Sequence, residues 1–72
     1  MIPKEVQERD WDIPQWHDYI DRLVFDEIDR HILKRKFTDN ISLEKIAEEI
    51  GLSDRQTKRR YKEAKKQLFK RI

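Results

Sequence analysis

The 72-residue chain has room for one small hydrophobic core, and at 36% apolar and 44% charged residues each helix has only a single apolar stripe to contribute. It contains no cysteine, which excludes disulfides and thiolate metal sites. No apolar run approaches the roughly 20 residues that span a bilayer. The first ten residues also lack a signal peptide's apolar centre, so we expect a soluble, cytoplasmic protein without membrane contact.

The charge of the chain is divided by position. Residues 1–29 hold nine acids and three bases, whereas residues 30–72 hold fourteen bases and six acids. Residues 53–72 alone have nine bases and two acids, a density that favours a polyanionic partner such as nucleic acid. Composition leaves open the simpler interpretation that these charges only solvate a helix face.

The N-terminal half is predicted to contain an arm and one or two helices. Residues 1–13 show no helical period and are interpreted as an extended acidic arm, preceding a helical domain over residues 14–72. From Pro14 to about Val24, apolar residues recur at helical spacing, which predicts a helix. These residues are Trp16, Ile20, Leu23 and Val24.

A second apolar stripe follows an acidic start at Asp26 and Glu27 and ends in a basic turn over residues 34–36, a polarity that favours the helix dipole. The stripe consists of Ile28, Ile32, Leu33 and Phe37. Periodicity leaves open whether the first two stripes form separate helices or one bent helix, because no Gly or Pro divides them. The acidic cap at Asp26 favours a break.

Two further helices are predicted around a short turn. Ser42 stands at an N-cap position, and the helix after it is expected to end at Gly51, the single glycine, in a conformation with positive φ. We expect Leu52 to return to the core. Ser53 and Gln56 have the spacing of a capping box, so the next helix should start at once.

The last predicted helix has one thin apolar edge and an otherwise cationic surface. Its apolar stripe is Thr57, Tyr61, Ala64 and Leu68, and its cationic faces carry Arg55, Lys58, Arg59, Lys62, Lys65 and Lys66. The fold class that follows is all-α, a small bundle of three to four helices with a helix-turn-helix at about residues 42–68.

The segment ISLEKIAEEIGLSDRQTKRRYKEAKKQLFKRI resembles the helix-turn-helix of sigma factor region 4 and of related phage regulators. Ala47 followed four residues later by Gly51 matches the spacing with which that family lets two helices cross closely and turn. Residues 42–47 resemble the first helix of the pair, and residues 29–37 resemble the scaffold helix before it. The resemblance covers about half of the chain.

This sequence departs from the family pattern at two positions. Thr57 stands where the family usually has Val or Ile, and Arg60 where it has an apolar residue. We expect Thr57 to bury its methyl group and Arg60 to lay its stem over the core with its head in water. Tyr61 is expected to supply the missing apolar area.

The resemblance implies sequence-specific binding of double-stranded DNA and a role in transcriptional regulation, with the last helix in the major groove. Arg55 and Arg59 lie four residues apart and are the expected base readers, since an arginine can fork onto guanine O6 and N7. The expected phosphate-positioning groups are Ser42, Lys45, Ser53, Lys58 and Lys62. Lys65, Lys66, Lys70 and Arg71 are expected to extend the positive charge beyond the groove, and Asp54 to favour the helix N-terminus.

Catalytic, metal and cofactor roles have little support in this sequence. His17 and His31 lie fourteen residues apart, and there is no cysteine to complete a metal site. A chain this small has no evident pocket in which the pKa values of its carboxylates could be driven apart for catalysis. We therefore expect a protein that is not an enzyme, with no cofactor, no metal and no catalytic residue.

Several partners stay open alongside DNA. The acidic N-terminal segment is suited to a basic protein partner or to RNA polymerase, and DNA recognition also fits phage packaging of the small-terminase kind. A further hypothesis is that residues 1–12 fold over the basic helix and mimic DNA. A homodimer is a further option, with an interface drawn from Trp11, Trp16, Leu68 and Phe69.

Overall fold

Four α-helices account for nearly all of the described chain. The computed structural model describes residues 12–71. The helices are α1, Ile13–Leu23; α2, Glu27–Phe37; α3, Leu43–Ile50; and α4, Asp54–Arg71. No strand occurs within residues 12–71. The predicted all-α bundle is confirmed, whereas the predicted arm lies outside the described residues except for its last two positions.

Side-chain caps determine where α1 and α2 begin. Asp12 accepts a hydrogen bond from the backbone N–H of Gln15 at 3.0 Å, so α1 starts at Ile13, one residue before the predicted start. Asp26 caps α2 in the same way, accepting from the N–H groups of Ile28 at 2.9 Å and Asp29 at 3.1 Å. The extended residues 24–26 therefore separate two helices, as the acidic cap indicated.

The core lies between α1, α2 and α4. It is formed by one buried cluster, Trp16, Ile20, Val24, Leu33, Phe37, Ala64 and Leu68. Trp16 and Phe37 meet edge to face with ring centroids 5.4 Å apart, a favoured aromatic geometry. On the side where α3 and α4 complete the bundle, Ile32, Ile46, Ala47 and Thr57 are buried as well.

This core changes the expected dimer surface. Trp16 is 2% exposed and Leu68 is fully buried, because both side chains fill the space between α1, α2 and α4. The expectation that they supply an interface is therefore wrong. Phe69 is half-buried against the same core, and Trp11 lies outside the described residues.

No helix within residues 12–71 combines the length and apolar content that crossing a membrane requires.

Candidate nucleic-acid interface

The turn between α3 and α4 has the predicted geometry. α3 ends in Gly51, whose φ of 71° and ψ of 27° are left-handed, and the N–H of Leu52 bonds back to the Ala47 carbonyl at 3.1 Å. This bond closes a Schellman-type end, in which glycine avoids the steric penalty of positive φ. Only residues 51–53 separate the two helices, so α3 fixes where α4 starts.

A reciprocal capping box begins α4. The backbone N–H of Gln56 donates to Ser53 Oγ at 3.1 Å, and the backbone N–H of Ser53 donates to Gln56 Oε1 at 3.2 Å. The Ser53 hydroxyl also donates to Gln56 Oε1, at 3.2 Å. These bonds satisfy the first donors of α4 and hold its N-terminus in one orientation.

The two serines at the helix starts differ in what they can still offer an anion. Ser42 Oγ accepts from the N–H of Lys45 at 3.3 Å, which leaves its hydroxyl proton without an acceptor among residues 12–71. The Ser53 hydroxyl proton is already used by Gln56. Of the two serines predicted to contact phosphate, Ser42 is therefore the one whose hydroxyl is more available. Lys45 is exposed, and its 3.5 Å contact to Glu48 lies in open solvent, where such a pair contributes little.

The two departures from the family pattern are accommodated differently. Thr57 is fully buried, and its Oγ1 donates to the Ser53 carbonyl at 2.9 Å, so its methyl group enters the core and its hydroxyl is satisfied. The Arg60 side chain is 39% exposed, so its head reaches water as expected, and it also contacts α2. Its Nη1 lies 3.2 Å from Asp29 Oδ1 and 3.4 Å from Asp26 Oδ1, because α2 presents two carboxylates beside it.

The outward face of α4 carries a row of exposed cations opposite its buried stripe. Their spacing of four, three, four and four residues places them on one face of the helix. We call this row the outer cation line; it consists of Arg55, Arg59, Lys62, Lys66 and Lys70. Lys58 is exposed beside it, and Lys65 is half-buried with its Nζ 5.4 Å from the Tyr61 ring centre.

In the described part of the chain these cations differ from the bases of α2 in their acidic neighbours. Within residues 12–71 no member of the outer cation line, nor Lys58, lies within 4.0 Å of an acidic oxygen. The bases of α2 behave differently: Lys34 pairs with Asp21 at 2.6 Å, and Arg35 pairs with Asp39 at 2.9 Å. Lys34 and Arg35 are thus neutralised by acids at the bundle surface, whereas the outer cation line has no acid this close among the described residues.

Arg71 belongs to a different surface from the one expected. Its Nη1 donates to the Leu23 carbonyl at 2.9 Å, and its guanidinium lies 5.1 Å from the Phe25 ring centre. The side chain therefore turns back to the connection between α1 and α2. It does not extend the outer cation line.

An ion-pair network holds α3 against α2. Arg35 donates from Nε to Glu49 Oε1 at 3.0 Å and from Nη2 to Glu49 Oε2, and His31 Nε2 lies 3.1 Å from Glu49 Oε1. The Arg35 hydrogen bonds, followed by the His31 contact, lower the pKa of Glu49 to about 2. The hydrogen bonds to Glu49, followed by the one to Asp39, raise the pKa of Arg35. The fork between Arg35 and Glu49 anchors the C-terminal end of α3 to α2.

All seven predicted binding residues are exposed and occupy one contiguous stretch of chain. Ser42 and Lys45 begin α3, Ser53 precedes α4, and the remaining four lie in its first half: Arg55, Lys58, Arg59 and Lys62. Sequence reasoning did not single out the Arg60 contact with Asp29, because its partners are 31 residues apart. Their opposite charges were the only available signal.

No group of three or more His, Asp or Glu side chains within the described residues is arranged to hold a metal ion. No protein-family model, characterised protein or solved structure matches this chain.

Proposed function

We propose that this chain binds double-stranded DNA sequence-specifically, with α4 in the major groove, and acts in transcriptional regulation. The observation that carries the proposal is the outer cation line, which is exposed, has no acidic partner within residues 12–71 and lies opposite the buried stripe of a helix that a short turn joins to α3. DNA phosphates supply the missing counter-charge, and a major groove about 12 Å wide admits one helix. The likeness to sigma factor region 4 supports the regulatory role.

The length of the outer cation line implies two kinds of contact. Arg55 and Lys70 are separated by fifteen residues, or about 22 Å along the helix axis, which exceeds the width of the groove. The N-terminal half of α4, with Arg55 and Arg59, meets the base edges. Lys66 and Lys70 then leave the groove and meet the phosphate backbone.

Lys58 and Lys62 lie beside the base readers and contact phosphates at the groove edge. Such contacts strengthen binding to every sequence and set the register of the helix. Arginine is suited to the reading positions because its planar fork matches guanine, which the point charge of lysine does not. The arginines therefore provide sequence specificity, and the lysines provide affinity for any sequence.

Fluorescence anisotropy with a labelled duplex tests the proposal. A site is first selected from a randomised duplex pool, and wild type is then compared with R55Q, R59Q and K62Q over a salt series. Each arginine variant should lose about 1–3 kcal/mol of binding to the selected site and relax its sequence preference. K62Q should weaken binding to all sequences and reduce the salt slope by about one.

R22Q is the matched control, because it removes one exposed guanidinium from α1, where Arg22 pairs with Asp18 at 3.0 Å. It should bind like wild type at physiological salt. If wild type does not bind duplex DNA even at low salt, the proposal fails, and the basic helix is a protein-binding face or scaffold. Binding that R55Q and R59Q leave unchanged would place the DNA elsewhere on the protein.

A further inference from the structure

The N-terminal half of α4 has one large side chain packed against the core, Tyr61, which is only partly buried. Its fully buried side chain there is Thr57, which is small, and the next buried residue, Ala64, is smaller still. The bulky anchor Leu68 lies near the other end of the helix. Large apolar side chains therefore hold α4 from Tyr61 to Leu68, whereas the first turn of the helix, with Arg55, precedes the first large anchor.

In the N-terminal half of α4, a polar contact adds to the apolar packing. Arg60 lies on the flank of α4, next to Arg59 in sequence, and reaches the first turn of α2. Its Nη1 is 3.2 Å from Asp29 Oδ1 and 3.4 Å from Asp26 Oδ1. We call these three residues the Arg60 clasp.

The acidic partners of the clasp are themselves held firmly. Asp26 Oδ1 also accepts from two backbone N–H groups as the N-cap of α2. The Asp29 side chain is only 20% exposed, and burial raises its pKa, while the hydrogen bond from Arg60 acts in the opposite direction. A half-buried carboxylate at this position is costly unless the guanidinium stays beside it. The clasp therefore has one preferred geometry.

We propose that Arg60 is a positioning residue for DNA reading, which acts through Asp29 to set the rotation of α4 and so aim Arg55 and Arg59. This inference rests on the proposed function. A rotation of about 20° moves atoms at the helix surface, about 6 Å from the axis, by about 2 Å. Hydrogen bonds to base edges tolerate only a few tenths of an ångström, so the base contacts require the clasp while looser phosphate contacts do not.

Variants that remove a negative charge and a positive charge from the same contact separate this role from simple electrostatics. D29N removes an acid and makes the protein more positive, whereas R60Q makes it less positive. If only charge mattered, D29N would tighten DNA binding and R60Q would weaken it. If the clasp positions α4, both variants lose discrimination, and the double variant D29N/R60Q loses no more than either single variant.

The control is D21N, which removes the same charge from the 2.6 Å pair between Asp21 and Lys34, a contact between α1 and α2 that does not involve α4. Asp26 is left intact because it caps α2. R60K keeps the cation and should restore part of the discrimination. Thermal unfolding of every variant gives the temperature below which the DNA measurements are made.

The measured quantity is the ratio of dissociation constants for a scrambled duplex and for the duplex selected by wild type. We expect D29N and R60Q each to lower this ratio about tenfold, which is equivalent to the loss of one base contact. The affinity of D29N for the scrambled duplex should be no weaker than that of D21N. Amide NMR spectra without DNA should show shifts over residues 55–59 in D29N and not in D21N.

An unchanged ratio in D29N, or unchanged amide shifts over residues 55–59, overturns the positioning role even if wild type reads DNA. A ratio that falls only in R60Q, with a salt slope lower by about one, shows that Arg60 contacts phosphate directly and also overturns it. If wild type ignores DNA altogether, the proposed function fails and the positioning role fails with it.

Discussion

Replacing Gly51 with alanine isolates the backbone energy of the turn between α3 and α4. Gly51 has a φ of 71°, and a Cβ built on it meets no atom within 4 Å. The substitution therefore adds no clash, and its effect comes from the left-handed conformation, which disfavours an L-residue by about 1–2 kcal/mol. Alanine also reduces the conformational entropy of the unfolded chain, which stabilises the folded state by about 0.4–1 kcal/mol. The net expectation is a loss of about 1 kcal/mol.

For a domain of this size, that loss lowers the melting temperature by about 4–8 °C, measured by far-UV circular dichroism. G51N is the matched variant, because asparagine tolerates positive φ, as Asn40 does in this chain at a φ of 54°. It should lose clearly less stability than G51A. The reasoning is refuted if G51A melts at the wild-type temperature, or if G51N and G51A are equally destabilised.

Two further predictions concern the bundle. The pKa of Glu49, about 2 when folded against an ordinary 4.5, means that its ion pairs stabilise the fold above pH 4.5 and that this stabilisation disappears as pH falls toward 2. Urea unfolding at neutral and acid pH should show this loss in wild type and a smaller one in E49Q; an equal pH dependence would contradict it. L68A should lower the free energy of unfolding by about 2–5 kcal/mol, since Leu68 is fully buried. Denaturant titration beside Q67A, whose exposed site should change stability by less than about 0.5 kcal/mol, checks that cavity argument; similar losses in both would refute it.

Much of the secondary structure could be predicted because its signals act over three or four residues. The caps at Asp26 and Ser42 and the capping box between Ser53 and Gln56 join neighbours in sequence, so their residue types predict the helix starts directly. The break between α1 and α2 follows from the same local chemistry. Gly51 marked the left-handed end of α3 for an equally local reason.

The candidate interface was predictable in part. A helix period assigns each residue of α4 to a face, so the exposure of Arg55 and Arg59 followed from the position of the apolar stripe. The helix period did not predict which of the cations have acidic partners within residues 12–71. Arg60, Arg71 and Lys62 look alike in sequence, yet the first contacts α2, the second contacts the end of α1, and the third has no acidic neighbour among residues 12–71.

Short stretches of sequence thus determine where the helices of this protein begin and end and which faces they bury, because these features depend on local periodicity and capping. The apolar stripes already favoured Trp16 and Leu68 as core residues, but only tertiary packing decided that almost no part of them is left exposed for an interface, because a stripe does not reveal how completely its neighbours cover it. It also decided the pairing of Arg60 with Asp29 and of Arg71 with the Leu23 carbonyl, across 31 and 48 residues. Such contacts depend on the distance between packed helices, which no local pattern contains.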